Sequence, residues 1–143
     1  MSVFRDSAQF YECVGELMDR AKKDPYIGKK ISKSGIIMQF LYSDPEAITT
    51  INGKDNPTQP GAYVDVIHGA CDLEPDVVMS MKADTAHAFW LGKVNLIAAL
   101  SNKEIIASGA IPKILKLLPA VQPLYKVYPA LLKEKGYNNL ILN

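Results

Sequence analysis

His68, Gly69, Ala70 and Cys71 place an imidazole and a thiol three residues apart, and Asp72, Glu74 and Asp76 come closely after them. Two chemistries suit such a group. One is a metal ion held by nitrogen, sulfur and carboxylate. A zinc site ordinarily adds a second pair of nitrogen or sulfur ligands, and only Cys13 and His87 are left to supply them. The other is a Cys71 thiolate activated by His68, which needs a further group to orient the base. The plainer reading is a strand end running into a solvated acidic loop. His87, the second histidine, sits among apolar residues, where a packed, hydrogen-bonded ring is expected. The sequence contains no Gly-x-Gly-x-x-Gly, no phosphate loop, no His-Glu-x-x-His and no Gly-x-Ser-x-Gly. No metal, no cofactor and no catalytic residue is expected, and the chain reads as a non-enzyme.

Charge is distributed unevenly. The stretch from Asp44 to Asp76 carries seven carboxylates and one lysine, whereas Pro112 to Lys135 carries five lysines and one glutamate. Each is most simply a solvated face. The second set, with Tyr125, Tyr128 and Tyr137, also has the mixture that suits a lipid headgroup layer or an anionic head group. Over the whole chain sixteen basic residues face fifteen acidic ones. Without a basic excess to neutralise phosphates, nucleic acid is excluded as the main partner.

The dominant feature is apolar. Met38, Phe40, Met79, Met81, Phe89, Trp90, Ile111, Ile114, Leu115, Leu118, Leu124, Leu131 and Leu132 outnumber the polar groups available to face them. Any one of these suits an ordinary core. Together, adaptable methionines and proline-interrupted helices point to an apolar cavity for a hydrophobic ligand. Burying about ten methylenes at ~0.8 kcal/mol each yields ~8 kcal/mol. Set against association costs of ~4–15 kcal/mol, that makes such binding micromolar at best unless the cavity is already formed.

The elements that position these residues are set by periodicity and punctuation. Asp6 or Ser7 caps a helix to about Lys23, with Phe10, Val14, Leu17, Met18 and Ala21 on one stripe, and Asp24-Pro25 ends it. Strands are expected over Ile36 to Tyr42, Ala47 to Ile51, Ala62 to His68 and Asp76 to Met81. The turn Ser43 to Glu46 and the loop Asn52 to Gly61 separate the first three. Met38, Phe40 and Tyr42 share one face and Gln39 marks the wetter one. Asp84 caps a helix closed by Gly92, and Asn95 caps another around Leu96 to Leu100. A fifth strand spans Ile105 to Ser108. Ile111, Ile114, Leu115 and Leu118 line a helix whose Lys113 and Lys116 point away, and Pro119, Pro123 and Pro129 break the rest of the chain into short pieces. This order is α+β.

At 143 residues, 48% apolar and 22% charged, the composition suits one soluble domain over 1–143 with its own core. Cys13 and Cys71 fit free thiols in a reducing compartment. Neither a secretion signal at Met1 to Asp6 nor a membrane span is legible, and the Leu140 to Asn143 ending is not a peroxisomal address. A cytoplasmic location is expected.

Pro75-Asp76-Val77-Val78-Met79-Ser80-Met81, then Asp84, Phe89 and Gly92-Lys93, then Asn95, resemble the sterol-carrier-protein-2 family. Ile105 to Gly109 and Ile111 to Leu118 match its next strand and leucine-rich helix. The match is close over Pro75 to Leu118, and the preceding order of one helix and three strands agrees. The resemblance implies a five-stranded, mainly antiparallel sheet covered by helices around a hydrophobic tunnel. It implies a stand-alone carrier of fatty acid, fatty acyl-CoA, phospholipid or sterol-like lipid. By position, Val77, Met79 and Met81 would face the tunnel from the fourth strand, and Ile105 and Ala107 from the fifth. Phe89, Trp90 and the Ile111 to Leu118 helix would roof it. The segment Pro119 to Lys135, with Leu131, is the candidate gate. Val94-Asn95-Leu96 lacks the proline that usually comes after the asparagine. The alternative is an accessory subunit docking on a lipid- or acyl-CoA-metabolising enzyme through an exposed apolar patch.

Overall fold

The computed structural model describes residues 2–142. Met1 and Asn143, included in the expected domain over 1–143, lie outside the described residues. Asp6 starts the first helix as its sequence predicts, its carboxylate accepting the Gln9 N–H at 2.8 Å. Helix α1 (Ser7–Phe10) passes through a π-helical stretch (Tyr11–Gly15) into α2 (Glu16–Lys23), with the predicted apolar stripe buried throughout. Asp24 does end α2, but it also starts α3 (Pro25–Lys33), a helix not expected from the sequence. Its carboxylate accepts the N–H groups of Tyr26 and Ile27, both at 2.9 Å. Pro25 takes the first helical position, where no N–H is needed. Taken only as a stop, Asp-Pro hides the start it also encodes.

Strands β1 (Ile37–Ser43), β2 (Ala47–Asn52), β3 (Asp65–His68), β4 (Val77–Lys82) and β5 (Ile105–Gly109) form one sheet in the order β3-β2-β1-β4-β5. Every pairing is antiparallel except that between β1 and β4. This is the mainly antiparallel five-stranded sheet expected of the fold. β3 is shorter than the predicted Ala62 to His68. The Tyr63 N–H goes instead to the Lys22 carbonyl at 2.8 Å, and the Asp65 carboxylate takes the Thr58 and Gln59 N–H groups at 2.9 Å each.

The Pro-Asp pair before β4 has a structural role. The Asp76 carboxylate accepts the Ile37 N–H at 2.8 Å, its N–H donates to the Ile37 carbonyl at 2.8 Å, and its carbonyl accepts the Ala110 N–H at 2.9 Å. One residue thus pins the start of β1 and the end of β5 to the start of β4, the strand between them. Gly109 sits opposite at φ +93°, and a Cβ there would lie 2.1 Å from the Asp76 carbonyl oxygen. Only glycine fits.

Helices α4 (Ala83–Trp90), α5 (Leu96–Ser101), α6 (Ile111–Val121) and α7 (Leu124–Glu134) complete the chain, with a 3₁₀ turn at Asn138–Leu140. Asn95 caps α5 as predicted, accepting the Ala98 N–H at 3.0 Å. Lys82, not Asp84, occupies the cap position of α4. Asp84 lies in the first turn and accepts from the Ser2 hydroxyl at 2.7 Å and the Val3 N–H at 3.0 Å. The prolines do not fragment the last third of the chain. Pro119 lies inside α6 and Pro129 inside α7, each a helix of eleven residues. Pro119 is on the exposed side, where water can satisfy the carbonyl it frees. The break falls only at Gln122-Pro123.

Candidate functional site

Alternation along β1 and β4 sends Met38, Phe40, Tyr42, Met79 and Met81 to the face that the helices cover. Between that face and the helices lies an apolar cavity of about 90 Å³. The sheet contributes those five residues with Ile51 and Ile105, α2 and α3 contribute Met18 and Ile31, and α4 and α5 contribute Ala86, Phe89, Trp90 and Leu96. Ile114, Leu117, Leu118 and Val121 of α6 and Leu124 of α7 complete the lining. Only Tyr42 and Trp90 among them carry a side-chain nitrogen or oxygen, and no lining residue is charged. The chain's five methionines are Met1 and the four at 18, 38, 79 and 81, so all four internal ones converge here. Phe40, Met81, Phe89, Trp90, Leu118 and Val121 are half-buried, which puts the mouth of the cavity between the C-terminal ends of α4 and α6. There the rings of Phe89, Trp90 and Tyr125 pack on one another, with centroids 4.8–6.1 Å apart.

Of the thirteen residues singled out in the sequence, nine line this cavity: Met38, Phe40, Met79, Met81, Phe89, Trp90, Ile105, Ile114 and Leu118. Val77 and Leu131 are fully buried in the core beyond it, while Ile111 and Leu115 lie half-buried on α6 without bordering it. The other nine lining residues, Met18, Ile31, Tyr42, Ile51, Ala86, Leu96, Leu117, Val121 and Leu124, were not assigned to the site, although Tyr42 was placed on the same strand face and Leu124 belonged to the apolar surplus. Met18 belongs to the predicted stripe of the first helix, but a stripe does not say which of its members meets a void. Ile31 sits on the unpredicted α3.

The polar candidates are dispersed. His68 and Cys71 engage neighbouring threonines of β2 whose side chains point to opposite faces of the sheet. His68 Nδ1 lies 3.1 Å from the Thr49 hydroxyl and its Nε2 3.2 Å from the Asp19 carboxylate, on the helix side. Cys71 Sγ lies 3.4 Å from the Thr50 hydroxyl on the other side. Partial burial raises the Asp19 carboxyl, but the hydrogen bonds and charges of His68 and Lys22 together outweigh it and hold the group below its usual range. Thr49 is buried, so this row presents no hydroxyl to a substrate. Burial pushes the Cys13 thiol up to about 11, which keeps it protonated. Among the described residues no three His, Cys, Asp or Glu side chains are grouped to hold a metal ion.

His87 is the packed core histidine its sequence context predicts. It is fully buried, its Nε2–H donates to the Leu140 carbonyl at 2.7 Å, and its Nδ1 accepts from the Tyr128 hydroxyl at 2.6 Å. The carbonyl can only accept, which fixes the tautomer. Burial holds the ring's pKa below the usual histidine value, so the ring is neutral. Tyr128 is thus sequestered, and the Tyr137 hydroxyl donates to Glu12 at 2.7 Å. Neither tyrosine joins the lysines of α6 and α7 in the headgroup-binding set that the sequence suggested.

No family profile matches the chain, and no curated protein sequence matches it. Solved structures do. Sterol carrier protein 2 from Yarrowia lipolytica, in its apo form, superposes with a TM-score of 0.57 at 16% identity, over 90% of this chain and 94% of that one. The sterol carrier protein domain 2 of Helicoverpa armigera gives 0.61 at 19% identity, over 88% and 95%. The UbiJ-SCP2 ubiquinone synthesis protein gives 0.55 at 13% identity, over 77% and 85%. Superposition above a TM-score of 0.5 over most of both chains, at such identities, is agreement of architecture. The chain has the sterol-carrier-protein-2 fold.

Proposed function

We propose that this chain is a single-domain, non-enzymatic carrier that binds one hydrophobic ligand between sheet and helices and transfers it. The ligand class is fatty acid, fatty acyl-CoA, phospholipid or a sterol-like lipid. The observation that carries the reading is the apolar cavity on which all four internal methionines converge. An ordinary core closes such space, whereas flexible thioethers beside a void can repack around contents of different shapes. The likeness to sterol carrier proteins supports the same reading. At about 90 Å³ the cavity is well below the roughly 300–1,000 Å³ of ligand sites, so loading must part the helices from the sheet. The nine lining residues read from the sequence would contact the ligand. Val77, Ile111, Leu115 and Leu131 would act behind them or only after expansion. Free Cys13 and Cys71 suit a reducing, cytoplasmic setting. Among the described residues no helix is long and apolar enough to cross a membrane.

Native mass spectrometry of the purified protein, followed by lipid extraction, tests the proposal. A stoichiometric lipid that disappears in a folded Met79→Trp/Leu118→Trp double variant is expected. An empty protein that also ignores added fatty acid and acyl-CoA would sink it. A second reading, docking on a lipid- or acyl-CoA-metabolising enzyme, draws on Ile97 of α5 and Ile106 of β5, each 59% exposed. Co-purification of a larger chain, lost in Ile97→Ser/Ile106→Ser, would favour it.

A further inference from the structure

Tyr11, Tyr128 and Tyr137 each commit the hydroxyl to a protein partner. Tyr11 accepts the Ile48 N–H at 2.9 Å, Tyr128 donates to His87 at 2.6 Å and Tyr137 donates to Glu12 at 2.7 Å. Tyr42 does not. It is 7% exposed and lines the cavity, yet its hydroxyl makes no hydrogen bond among the described residues. Buried tyrosine hydroxyls ordinarily find a partner. Among the described residues every fully enclosed side-chain nitrogen or oxygen has one, so the Tyr42 hydroxyl must border free space. The free space that this residue borders is the cavity. Its ring is held in place, with the Phe10 ring at 4.5 Å and the Phe40 ring at 6.2 Å between centroids. Burial, and to a lesser degree the neighbouring Tyr11, push the phenol far above its usual pKa, so it stays a neutral O–H donor. Of the other lining residues only Trp90 carries a side-chain nitrogen or oxygen, and it is half-buried at the mouth, where water can serve it.

We propose that Tyr42 is a specificity-determining residue of the cavity, whose hydroxyl donates a hydrogen bond to a neutral oxygen of the ligand: the hydroxyl, ketone or ester carbonyl of an otherwise apolar chain. The inference rests on the carrier reading and narrows it. Apolar sites orient their ligands through a few fixed polar groups, and inside this cavity there is one. A water molecule is a poor substitute for the ligand oxygen, since it would meet a single side-chain partner where buried waters have about two to four. An ionised carboxylate or phosphate does not suit the position. No lining residue is charged, and one phenol bond returns less than the desolvation of the anion costs. A fatty acid or acyl-CoA therefore leaves its anionic end outside the mouth and places only its chain in the cavity. The chain supplies the affinity, and Tyr42 selects among chains by the oxygen they carry.

Titration of the wild type and of Tyr42→Phe with decanol and with decanoate, read from the fluorescence of Trp90, tests the assignment. Trp90 is the chain's one tryptophan and stands at the cavity mouth. Tyr42→Phe should weaken decanol about three- to ten-fold, the worth of one neutral hydrogen bond, and change decanoate by less than about two-fold. Bound methyl nonyl ketone, which can only accept, should show its carbonyl stretch at lower frequency in the wild type than in Tyr42→Phe. Stability is a separate readout. An unpartnered hydroxyl contributes nothing to the empty chain, so Tyr42→Phe should keep or raise the midpoint of urea denaturation measured without ligand. A lowered midpoint would assign the hydroxyl to a bond within the protein and overturn the proposal. So would a wild type that binds decanoate but not decanol, equal weakening of both ligands in Tyr42→Phe, or no weakening of decanol; each of these leaves the carrier reading standing. A wild-type chain that binds neither decanol nor decanoate would refute the carrier and the assignment together.

Discussion

The two parts of the roof over the cavity are attached in different ways. α7 and the turn after it are tied down by polar bonds: Tyr128 to His87 of α4 at 2.6 Å, the Leu140 carbonyl to the same ring at 2.7 Å, Glu134 to Arg20 at 2.7 Å and Tyr137 to Glu12 at 2.7 Å. α6, which supplies four lining residues, has no side-chain hydrogen bond or ion pair among the described residues. It is held by packing alone. Hydrogen bonds have directions and are lost abruptly when a helix shifts, whereas apolar contacts can slide and re-form. The sequence suggested a gate over Pro119 to Lys135. Within and beside that segment the bonding pattern differs: among the described residues α6 has no directional side-chain tie, whereas α7 and the turn after it have several.

Removing the polar knot should have the largest effect on this contrast. His87→Ala leaves the buried Tyr128 hydroxyl and Leu140 carbonyl unpartnered and opens a void, and is expected to cost about 3–4 kcal/mol in urea denaturation. Ile114→Ala, on α6, should cost less, about 2 kcal/mol, because the side chain already borders empty space. It should leave lipid binding intact or strengthen it, while His87→Ala weakens binding along with stability. Equal costs for the two would erase the distinction drawn between the helices.

Acid should act on the pinned part first. His87 is neutral in the folded chain and its pKa lies below the usual value because of burial. The unfolded chain takes up that proton near pH 6.5, the folded chain only at lower pH. Its contribution is therefore complete above about pH 6.5 and is lost as pH falls from there toward the folded pKa. Denaturation midpoints should drop over that window in the wild type and less steeply in His87→Phe. Amide hydrogen exchange sharpens the comparison at single residues, with α6 amides opening about ten-fold more often than those of α7. The smallest effect belongs to Arg20→Ala. Its bond to Glu134 is exposed to water, and the loss should fall within the error of a denaturation curve.

What the sequence revealed and what it concealed divide along local and non-local lines. Strict alternation sent Met38, Phe40, Met79 and Met81 to one face, and the cavity is on that face. Side-chain alternation does not encode partner strands, so the parallel pairing of β1 with β4 emerges only in the folded chain. Asp24-Pro25 and Pro119 misled for a shared reason. Proline is a stop signal in a helix interior, but at a first helical position or on an exposed side it is tolerated. Val77 and Leu131 are as apolar as the residues lining the cavity. Their separation from it is set by a void of a few side-chain widths, which periodicity does not describe.

That void also has a mechanical consequence. An apolar space of about 90 Å³ that water does not enter is volume the folded chain holds and the unfolded chain releases. Unfolding of proteins shrinks the system by roughly 20–100 mL/mol, in proportion to such internal space. Hydrostatic pressure therefore favours the unfolded chain, and it favours a loaded protein over an empty one to the extent that cargo fills the space without enlarging it. Compression would then read out occupancy directly, as a rise in the pressure at which half the molecules unfold.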